Sequence, residues 1–307
     1  MARRVWAPPA PYDLSRTLRV LRRGRGDPTC RQEPDGTWWR TTRTPAGLAT
    51  LKITAVGTGP TAPDHVVGEA WGPGSEWVLD ALPQLLGTDD DPTAFIPHHE
   101  VVAAAHRKYA GLRLARTALV MESLIPSVLE QRITTGSAHA AWRRLLARYG
   151  EPAPGPVPAG MRVVPDARVW RMIPSWEWHR AHVDRSRAAA ILRACQRAER
   201  LEEAARMELP EAMARLQAID GIGPWTAAET LQRTLGAPDA LTIGDLHLPV
   251  QITYALTGRR DGTDASMLEL LAPYAGQRHR AARLILLGGR LPDRRAHRAP
   301  HSRIAHL

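Results

Sequence analysis

The segment between residues 216 and 236, LQAIDGIGPWTAAETLQRTLG, constrains the fold more than any other part of the chain. A helical pattern that ends near Ile219 meets Gly221 and Gly223, which permit the positive backbone angles of a tight turn. Pro224 then suits the first turn of a second helix. Two helices joined in this way expose backbone N–H groups that can bind one phosphate. The Gly-x-Gly spacing alone favours an ordinary helical hairpin without such a function.

A longer pattern around this hairpin carries more information. The string GIGPWTA is followed, twenty residues after Trp225, by Asp245 in the setting IGDLHLP. This combination resembles the helix-hairpin-helix (HhH-GPD) DNA glycosylase superfamily, with its Gly/Pro-rich loop and single aspartate. The tryptophan, the segment ESLIPSVLEQRIT and the N-terminal PAPYDLSRTLRVL look most like bacterial DNA-3-methyladenine glycosylase II. The resemblance covers nearly the whole chain.

The resemblance implies an α+β fold. A small antiparallel N-terminal sheet domain, TATA-binding-protein-like, would precede an all-α helix-hairpin-helix glycosylase domain. In the sequence, TWWRTTRTP and GLATLKITAV alternate as strands do, and long Ala-, Leu- and Arg-rich stretches with helical spacing begin near residue 101. We therefore expect three regions: a sheet domain over 1–100, a helical domain over 101–289 with two subdomains flanking a cleft, and a basic tail over 290–307.

Within the helical region, seven stretches have helical spacing. The Pro/Gly-rich segment GEPAPGPVPAG, at 150–160, is expected to be a loop between subdomains because it cannot continue a helix. Trp170, Trp176 and Trp178 form a second aromatic group whose spacing mixes helix faces. Core packing is expected for most of this group, with a role in a base pocket as the alternative.

Asp245 is the predicted catalytic residue. Breaking an N-glycosidic bond builds positive charge on the sugar, and a carboxylate beside the anomeric carbon stabilises that charge and orients the attacking water. A helix that starts just after Asp245 would stabilise its negative charge. A simple N-cap aspartate is the alternative that local sequence favours. The hairpin at the superfamily's spacing reverses that preference.

The chain has only two lysines, Lys52 and Lys108. Superfamily members that form a Schiff base and nick the strand use a lysine where this chain has Trp225. Without an amine in the hairpin, we expect a monofunctional enzyme that uses water as its nucleophile. Cys30 and Cys195 are too few for a four-cysteine iron–sulfur cluster. No cofactor is expected other than a structural cation in the hairpin.

Trp225 is predicted to form one wall of a pocket for a flipped base, with a core tryptophan as the alternative. Glu229, one helical turn later, lies on the same face of the helix and stands where well-known alkylbase glycosylases carry an aromatic pocket residue. Its negative charge would attract a cationic alkylpurine. A solvated surface glutamate is the alternative.

The resemblance also places residues against DNA. Gln131 and Arg132 stand where the family inserts a side chain into the gap left by the flipped nucleotide. For Arg132, a solvated arginine at a helix end is the alternative. Further contacts between the hairpin and DNA are expected from Gly221, Ile222, Gly223 and Thr226.

In relatives bound to DNA, main-chain carbonyls of the hairpin hold a monovalent cation. The matching carbonyls in this chain belong to Gln217, Ile219 and Ile222. Carbonyl ligation leaves no signature in the side chains, so this expectation follows from the resemblance alone. Asp220 stands where many members have proline, which places a negative charge beside the expected phosphate site.

The net charge of +10 favours a polyanionic partner. Together with the resemblance, it leads us to expect a base-excision repair glycosylase that hydrolyses the N-glycosidic bond of alkylated purines, 3-methyladenine and also 7-methylguanine, in double-stranded DNA. No long apolar segment indicates secretion or a membrane span, so we expect a cytoplasmic, nucleoid-associated monomer. A non-catalytic hairpin DNA-binding protein and a glycosylase for deaminated or oxidised bases are the alternatives.

Overall fold

A computed structural model describes residues 1–57, 59 and 62–292 of the chain. The predicted α+β class is confirmed: the N-terminal part holds a five-stranded antiparallel sheet and the remainder is helical. The strands, in the spatial order β1-β5-β4-β3-β2, are β1 Ala2–Trp6, β2 Cys30–Gln32, β3 Trp38–Thr44, β4 Gly47–Gly57 and β5 Pro63–Trp71.

The sheet buries one face against three short helices, α1 Leu14–Leu18, α2 Ser75–Asp80 and α3 Leu82–Leu85. Alternation along β4 directs Leu51 and Ile53 into this core, where both are almost fully buried. Gly68 on β5 lets a helix approach closely, because a Cβ there would lie 2.7 Å from Cδ2 of Leu82. The two strands predicted from TWWRTTRTP and GLATLKITAV are therefore present as β3 and β4.

The helical part contains more helices than the seven predicted. Its helices are α4 Glu100–Lys108, α5 Val120–Leu129, α6 Thr135–Tyr149, α7 Ala167–Met172, α8 Ser175–Arg180, α9 Arg185–Gln196, α10 Ala198–Glu202, α11 Leu209–Gln217, α12 Pro224–Thr234, α13 Leu248–Thr257, α14 Asp264–Leu270 and α15 Arg278–Gly288. The seven stretches omit α7, α8 and α13. The first two are short helices separated by Pro174, and each is too short to show a clear period.

The helices build two hydrophobic cores. One core gathers residues from α5 through α12, and the other combines α4 with α13, α14 and α15. The contact between α4 and α15 is close because Gly288 has no side chain: a Cβ there would lie 2.7 Å from Cβ of Ala105. Since α12 belongs to the first core and α13 to the second, the loop between them runs where the two cores meet.

The segment 150–160 does not connect the two cores, contrary to the prediction. It joins α6 to α7 within the first core; it contains the short strand β6 Glu151–Pro152, which pairs with β7 Arg162–Val163 just after the segment. The segment packs on the N-terminal sheet instead. Gly155 lies against the Trp71 ring, and the N–H of Arg162 donates to the Pro28 carbonyl at 2.8 Å. Its prolines and glycines thus serve an interdomain contact.

Trp170 and Trp178 are core residues, as predicted for most of that aromatic group. Their side chains are 1% and 3% exposed, and Trp170 stacks with Trp178 and with Trp142 at centroid distances of 5.9 and 6.3 Å. Trp176 is 61% exposed. In the described part of the chain, no helix combines the length and the apolar character needed to cross a membrane. The predicted basic tail lies outside the described residues from 293 onward.

Candidate active site

The predicted hairpin is present between α11 and α12, but its two glycines differ. Gly221 has a φ of +92°, which favours glycine, whereas Gly223 is extended with a φ of −91°. The expectation of positive angles at both positions is therefore wrong for Gly223. A Cβ on Gly221 would lie only 2.8 Å from Cβ of Ala190 on α9, and Arg193 Nε donates to the Asp220 carbonyl at 2.9 Å. These contacts fix the turn against α9.

Gly223 is the N-cap of α12 and faces open space, since no heavy atom lies within 4 Å of a Cβ built there. A phosphate can therefore approach the first backbone N–H groups of the helix. Two other predicted DNA contacts are almost fully buried. Ile222 and Thr226 are 3% and 2% exposed as whole residues, and both contacts stay predictions.

The Asp245 carboxylate is held by three N–H donors. Its Oδ1 accepts the backbone N–H groups of His247 and Leu248, both at 2.8 Å, at the start of α13. Its Oδ2 accepts the indole N–H of Trp225 at 2.9 Å. The N-cap alternative and the catalytic prediction are thus compatible, because one oxygen caps the helix and the other turns toward the hairpin. Charged hydrogen bonds of this kind fix a carboxylate without removing its charge.

The bond from Trp225 to Asp245 was not predicted from the sequence. Trp225 is half-buried, at the first turn of α12, and its indole connects the hairpin to the loop that carries Asp245. This contact gives the tryptophan a role in orienting the carboxylate. Its role as a wall of the base pocket stays a prediction. The only sequence signal for the contact was the spacing of the two residues.

Glu229 is not a free carboxylate. Its Oε2 forms an ion pair with Arg233 Nη1 at 2.9 Å, and its Oε1 accepts the Thr242 hydroxyl at 3.1 Å. The expectation that its negative charge attracts a cationic base needs correction, because Arg233 compensates that charge. Its side chain is 18% exposed, and a place in the wall of the pocket stays a prediction.

Gln131 and Arg132 follow the end of α5 and point to different partners. The Gln131 side-chain amide donates to the Gly221 carbonyl at 2.9 Å and to Thr226 Oγ1 at 2.8 Å, so it binds the hairpin. Arg132 is exposed and has a φ of +55°. This left-handed conformation costs a non-glycine residue about 1–2 kcal/mol. Arg132 is the exposed member of the pair, and its insertion into DNA stays a prediction.

Of the predicted cation ligands, Gln217 is the last residue of α11, and Ile219 and Ile222 lie on the turn between α11 and α12. The Ile219 carbonyl already accepts the N–H of Ile222 at 2.9 Å, which leaves one lone pair for a cation. Three carbonyl oxygens suit a hard monovalent ion, so these residues fit the group, and its binding stays a prediction. Asp220 is exposed, and the backbone carbonyl of this residue is held by Arg193.

A buried ion pair includes Glu130, the residue that directly follows α5. Arg23 Nη1 contacts both carboxylate oxygens of Glu130, at 3.0 and 3.1 Å, and His139 Nε2 lies 3.2 Å from Oε1. Burial alone would raise the pKa of Glu130, but the Arg23 guanidinium lowers it to about 2. No sequence pattern indicates this contact, since Arg23 and Glu130 are 107 residues apart.

The chain combines an antiparallel sheet, two helical cores, a hairpin open at Gly223 and one carboxylate fixed beside that hairpin. These features define a helix-hairpin-helix protein of the glycosylase type. The chain belongs to the HhH-GPD DNA glycosylase superfamily. It is 31% identical over 229 residues, 72% of its length, to the probable bifunctional transcriptional activator/DNA repair enzyme AlkA from two strains of Mycobacterium tuberculosis. The chain spans 44% of the length of those relatives. No family model matches it.

Solved structures share the fold at low sequence identity. The 3-methyladenine DNA-glycosylase of Archaeoglobus fulgidus has a TM-score of 0.73 and 17% identity, over 93% of this chain and 97% of that one. The 8-oxoguanine glycosylase/lyase of Clostridium acetobutylicum, in complex with dsDNA, has a TM-score of 0.68 and 11% identity, over 89% and 90%. Proteins named for different bases thus match this fold almost equally well, so the fold does not select a substrate.

Proposed function

We propose that the chain is a DNA glycosylase of base-excision repair, which hydrolyses the N-glycosidic bond of a damaged purine flipped out of double-stranded DNA. The observation that carries this proposal is the Asp245 carboxylate, fixed by three N–H donors beside an exposed hairpin turn. A carboxylate held in place before the reaction stabilises positive charge on the sugar without reorganising. The hairpin supplies the phosphate contact that brings the strand to it.

Water, rather than a lysine, is the proposed nucleophile. Lys52 lies on the N-terminal sheet, 2.9 Å from Glu69, and Lys108 ends α4, over the Tyr109 ring. Both lysines therefore lie on elements other than the hairpin. In the hairpin, Trp225 occupies the position of the lysine in Schiff-base relatives. This arrangement supports hydrolysis without strand cleavage.

Alkylated purines, 3-methyladenine and 7-methylguanine, are the proposed substrates. Two observations support them: the relatives named as AlkA, and the match to a protein named as a 3-methyladenine DNA-glycosylase. Alkylation of a ring nitrogen makes the base in DNA cationic, so it departs as a neutral molecule. One carboxylate that stabilises the sugar then suffices for catalysis.

The proposal is tested by release of free base from methylated duplex DNA. We expect Asp245→Asn to bind duplex normally and to lose about 100- to 1000-fold in single-turnover rate, because one charged group that stabilises the transition state is removed. Asp166→Asn is the matched control. Asp166 caps α7 by accepting the Val169 N–H at 2.7 Å, and asparagine caps equally well. Full activity of Asp245→Asn would refute the assignment.

The absence of lyase chemistry has a separate test. Product strands should break only after alkali treatment, and borohydride should trap no covalent complex between enzyme and DNA. Strand breakage without alkali would contradict the water mechanism and leave the glycosylase assignment intact. Binding without release of base from any modified duplex would instead favour the non-catalytic alternative.

A further inference from the structure

An open groove lies between α6 and α8. Its volume is about 360 Å³, which is within the range of about 300–1000 Å³ that is typical of ligand sites. The side chains that line it include arginines and apolar groups: Arg144, Leu145, Arg148, Tyr149, Glu177 and Arg180. Arg144 comes nine residues after the start of α6, which is about 14 Å along the helix. The groove is therefore set back from Arg132, the residue expected to enter DNA.

The three arginines of the groove are held in place. Glu177 is 6% exposed, its Oε1 accepts Arg180 Nη1 at 3.0 Å, and its Oε2 lies 3.2 Å from Arg148 Nε. Arg144 Nη1 donates to the Arg180 carbonyl at 3.1 Å. A guanidinium has five N–H donors, and each of the three uses one in these contacts. Most of their N–H groups thus remain for an acidic ligand.

The groove has excess positive charge. Three arginines and one glutamate line it, which leaves two positive charges without a carboxylate of the groove. The sequence of α6 adds Arg143 and contains no acidic residue. Burial, together with the positive charges of Arg144 and His179, lowers the pKa of His182 beside α8. The groove therefore attracts a negatively charged partner.

The floor of the groove is apolar. Leu145 and Ala181 line it and are 2% and 4% exposed, beside the half-buried Tyr149. The Arg148 guanidinium lies 5.9 Å from the centroid of the Tyr149 ring, a distance at which a cation and an aromatic ring attract each other. An apolar side chain that enters the groove would remove this floor from water, which favours binding.

We propose that the α6–α8 groove docks an acidic segment of a partner protein: an apolar side chain enters the groove, and flanking carboxylates bind Arg144, Arg148 and Arg180. A carboxylate matches the guanidinium fork with two parallel N–H···O bonds. Because the arginines are already fixed, their ordering costs little on binding.

The phosphate backbone of DNA matches the charge of the groove but has no side chain for the apolar floor. The observations therefore favour a protein segment over a second contact with DNA. This docking site is independent of the proposed glycosylase activity, whose residues lie around the hairpin and Asp245.

The test measures binding of the full chain to a fluorescein-labelled peptide, DDFDD, by fluorescence anisotropy. We expect saturable binding. The matched peptide DDSDD has the same charge and lacks the aromatic ring, so it should bind at least about 10-fold more weakly. This comparison separates the apolar contact from attraction by charge alone.

Two variants test the groove itself. Ala147 is exposed and lines the groove, so Ala147→Phe fills it without changing the charge. We expect about a 10-fold loss of DDFDD affinity and duplex affinity within about 2-fold of wild type. Arg144→Ala/Arg180→Ala removes two positive charges and keeps the contact between Arg148 and Glu177. It should also lower DDFDD affinity about 10-fold.

The matched control for charge is Arg200→Ala/Arg206→Ala. Both residues are exposed, on α10 and the turn that follows it, and neither lines the groove. This variant has the same net charge as Arg144→Ala/Arg180→Ala and should keep DDFDD affinity within about 2-fold of wild type, because general attraction by charge is screened by salt.

Four results would overturn the inference: no saturable binding of DDFDD, equal affinity for the two peptides, unchanged DDFDD affinity in Ala147→Phe, or equal losses in the two double variants. Weaker duplex binding in Arg144→Ala/Arg180→Ala without a loss of peptide binding would assign these arginines to DNA and would also overturn it. If Ala147→Phe does not fold, the two double variants still decide. Release of base is measured separately, so all of these results leave the proposed glycosylase function standing.

Discussion

The two ends of α12 have opposite physical characters. At the N-terminal end Gly223 is open to solvent, and the half-buried Trp225 holds the Asp245 carboxylate. At the C-terminal end Glu229 and Arg233 are paired, with 18% and 15% of their side chains exposed, and Arg233 reaches the N-terminal segment. One helix therefore presents an accessible site at one end and joins separate parts of the chain at the other.

Because of this difference, substitutions at the two ends of α12 should affect different measured quantities. Polar groups at the buried end lose solvation on folding, so removing one partner of a pair leaves the other charge uncompensated. Groups at the open end are solvated before a ligand binds, and their loss changes binding or rate more than stability. Substitutions at the two ends should therefore give distinct patterns of stability and activity.

The largest expected effect is in the Glu130→Ala variant, because the buried Arg23–Glu130 pair lies near Arg233 at the C-terminal end of α12. Loss of the carboxylate leaves the Arg23 guanidinium buried without its partner, which should lower the free energy of unfolding by about 3–5 kcal/mol. Urea unfolding at pH 7 measures this loss. A loss below about 1 kcal/mol would mean that the contact behaves as a surface pair.

The same pair predicts a pH dependence. The pKa of Glu130 is lowered to about 2 in the folded protein, from an ordinary value of 4.5. A lowered folded-state pKa stabilises the protein above the unfolded value, and this contribution is lost as the pH falls from about 4.5 toward 2. Wild type should lose this stability over that range, and Glu130→Ala should show a flatter profile.

The second prediction compares the two glycines of the hairpin. Gly221→Ala places a Cβ 2.8 Å from Ala190 at a φ of +92°, so we expect a loss of about 1–3 kcal/mol in stability. Gly223→Ala meets no atom and has an ordinary φ, so its stability should stay within about 0.5 kcal/mol of wild type. Its new methyl group should weaken duplex binding a few-fold, measured by fluorescence anisotropy. Equal effects on stability would contradict the open character of this end.

Sequence predicted the open end of α12 better than the buried end. The turn, Pro224 and Asp245 lie within a short stretch, and local rules for turns and caps apply to them. The α+β class was predicted from the resemblance and from the strand-like and helical spacing of neighbouring residues. By contrast, Arg233 is connected to Val20 across 213 residues and Arg23 to Glu130 across 107, and no periodicity encodes such pairings. The missed pairing of Glu229 is different, because its partner Arg233 lies only four residues later on the same helix, a spacing that the sequence does show.

The third prediction concerns the indole N–H of Trp225. Trp225→Phe keeps an aromatic ring for base stacking but removes the donor to Asp245 Oδ2. We expect about a 10-fold lower single-turnover rate, which corresponds to about 1.4 kcal/mol, with little change in melting temperature. Trp176→Phe, at an exposed position on α8, is the control for loss of an indole. An unchanged rate in Trp225→Phe would remove the orienting role and leave the carboxylate assignment in place.

The smallest expected effect concerns Arg132, the exposed residue at the edge of the open end. A side chain inserted into the gap acts only after the base has left the duplex, whereas phosphate contacts dominate nonspecific binding. Arg132→Ala should therefore lower excision about 3- to 5-fold and lower binding to undamaged duplex less than about 2-fold, an effect below about 1 kcal/mol. Arg144, exposed on α6, supplies the control for loss of one positive charge. Arg144→Ala should change both measurements equally, and an equal change in Arg132→Ala would make Arg132 an ordinary phosphate contact.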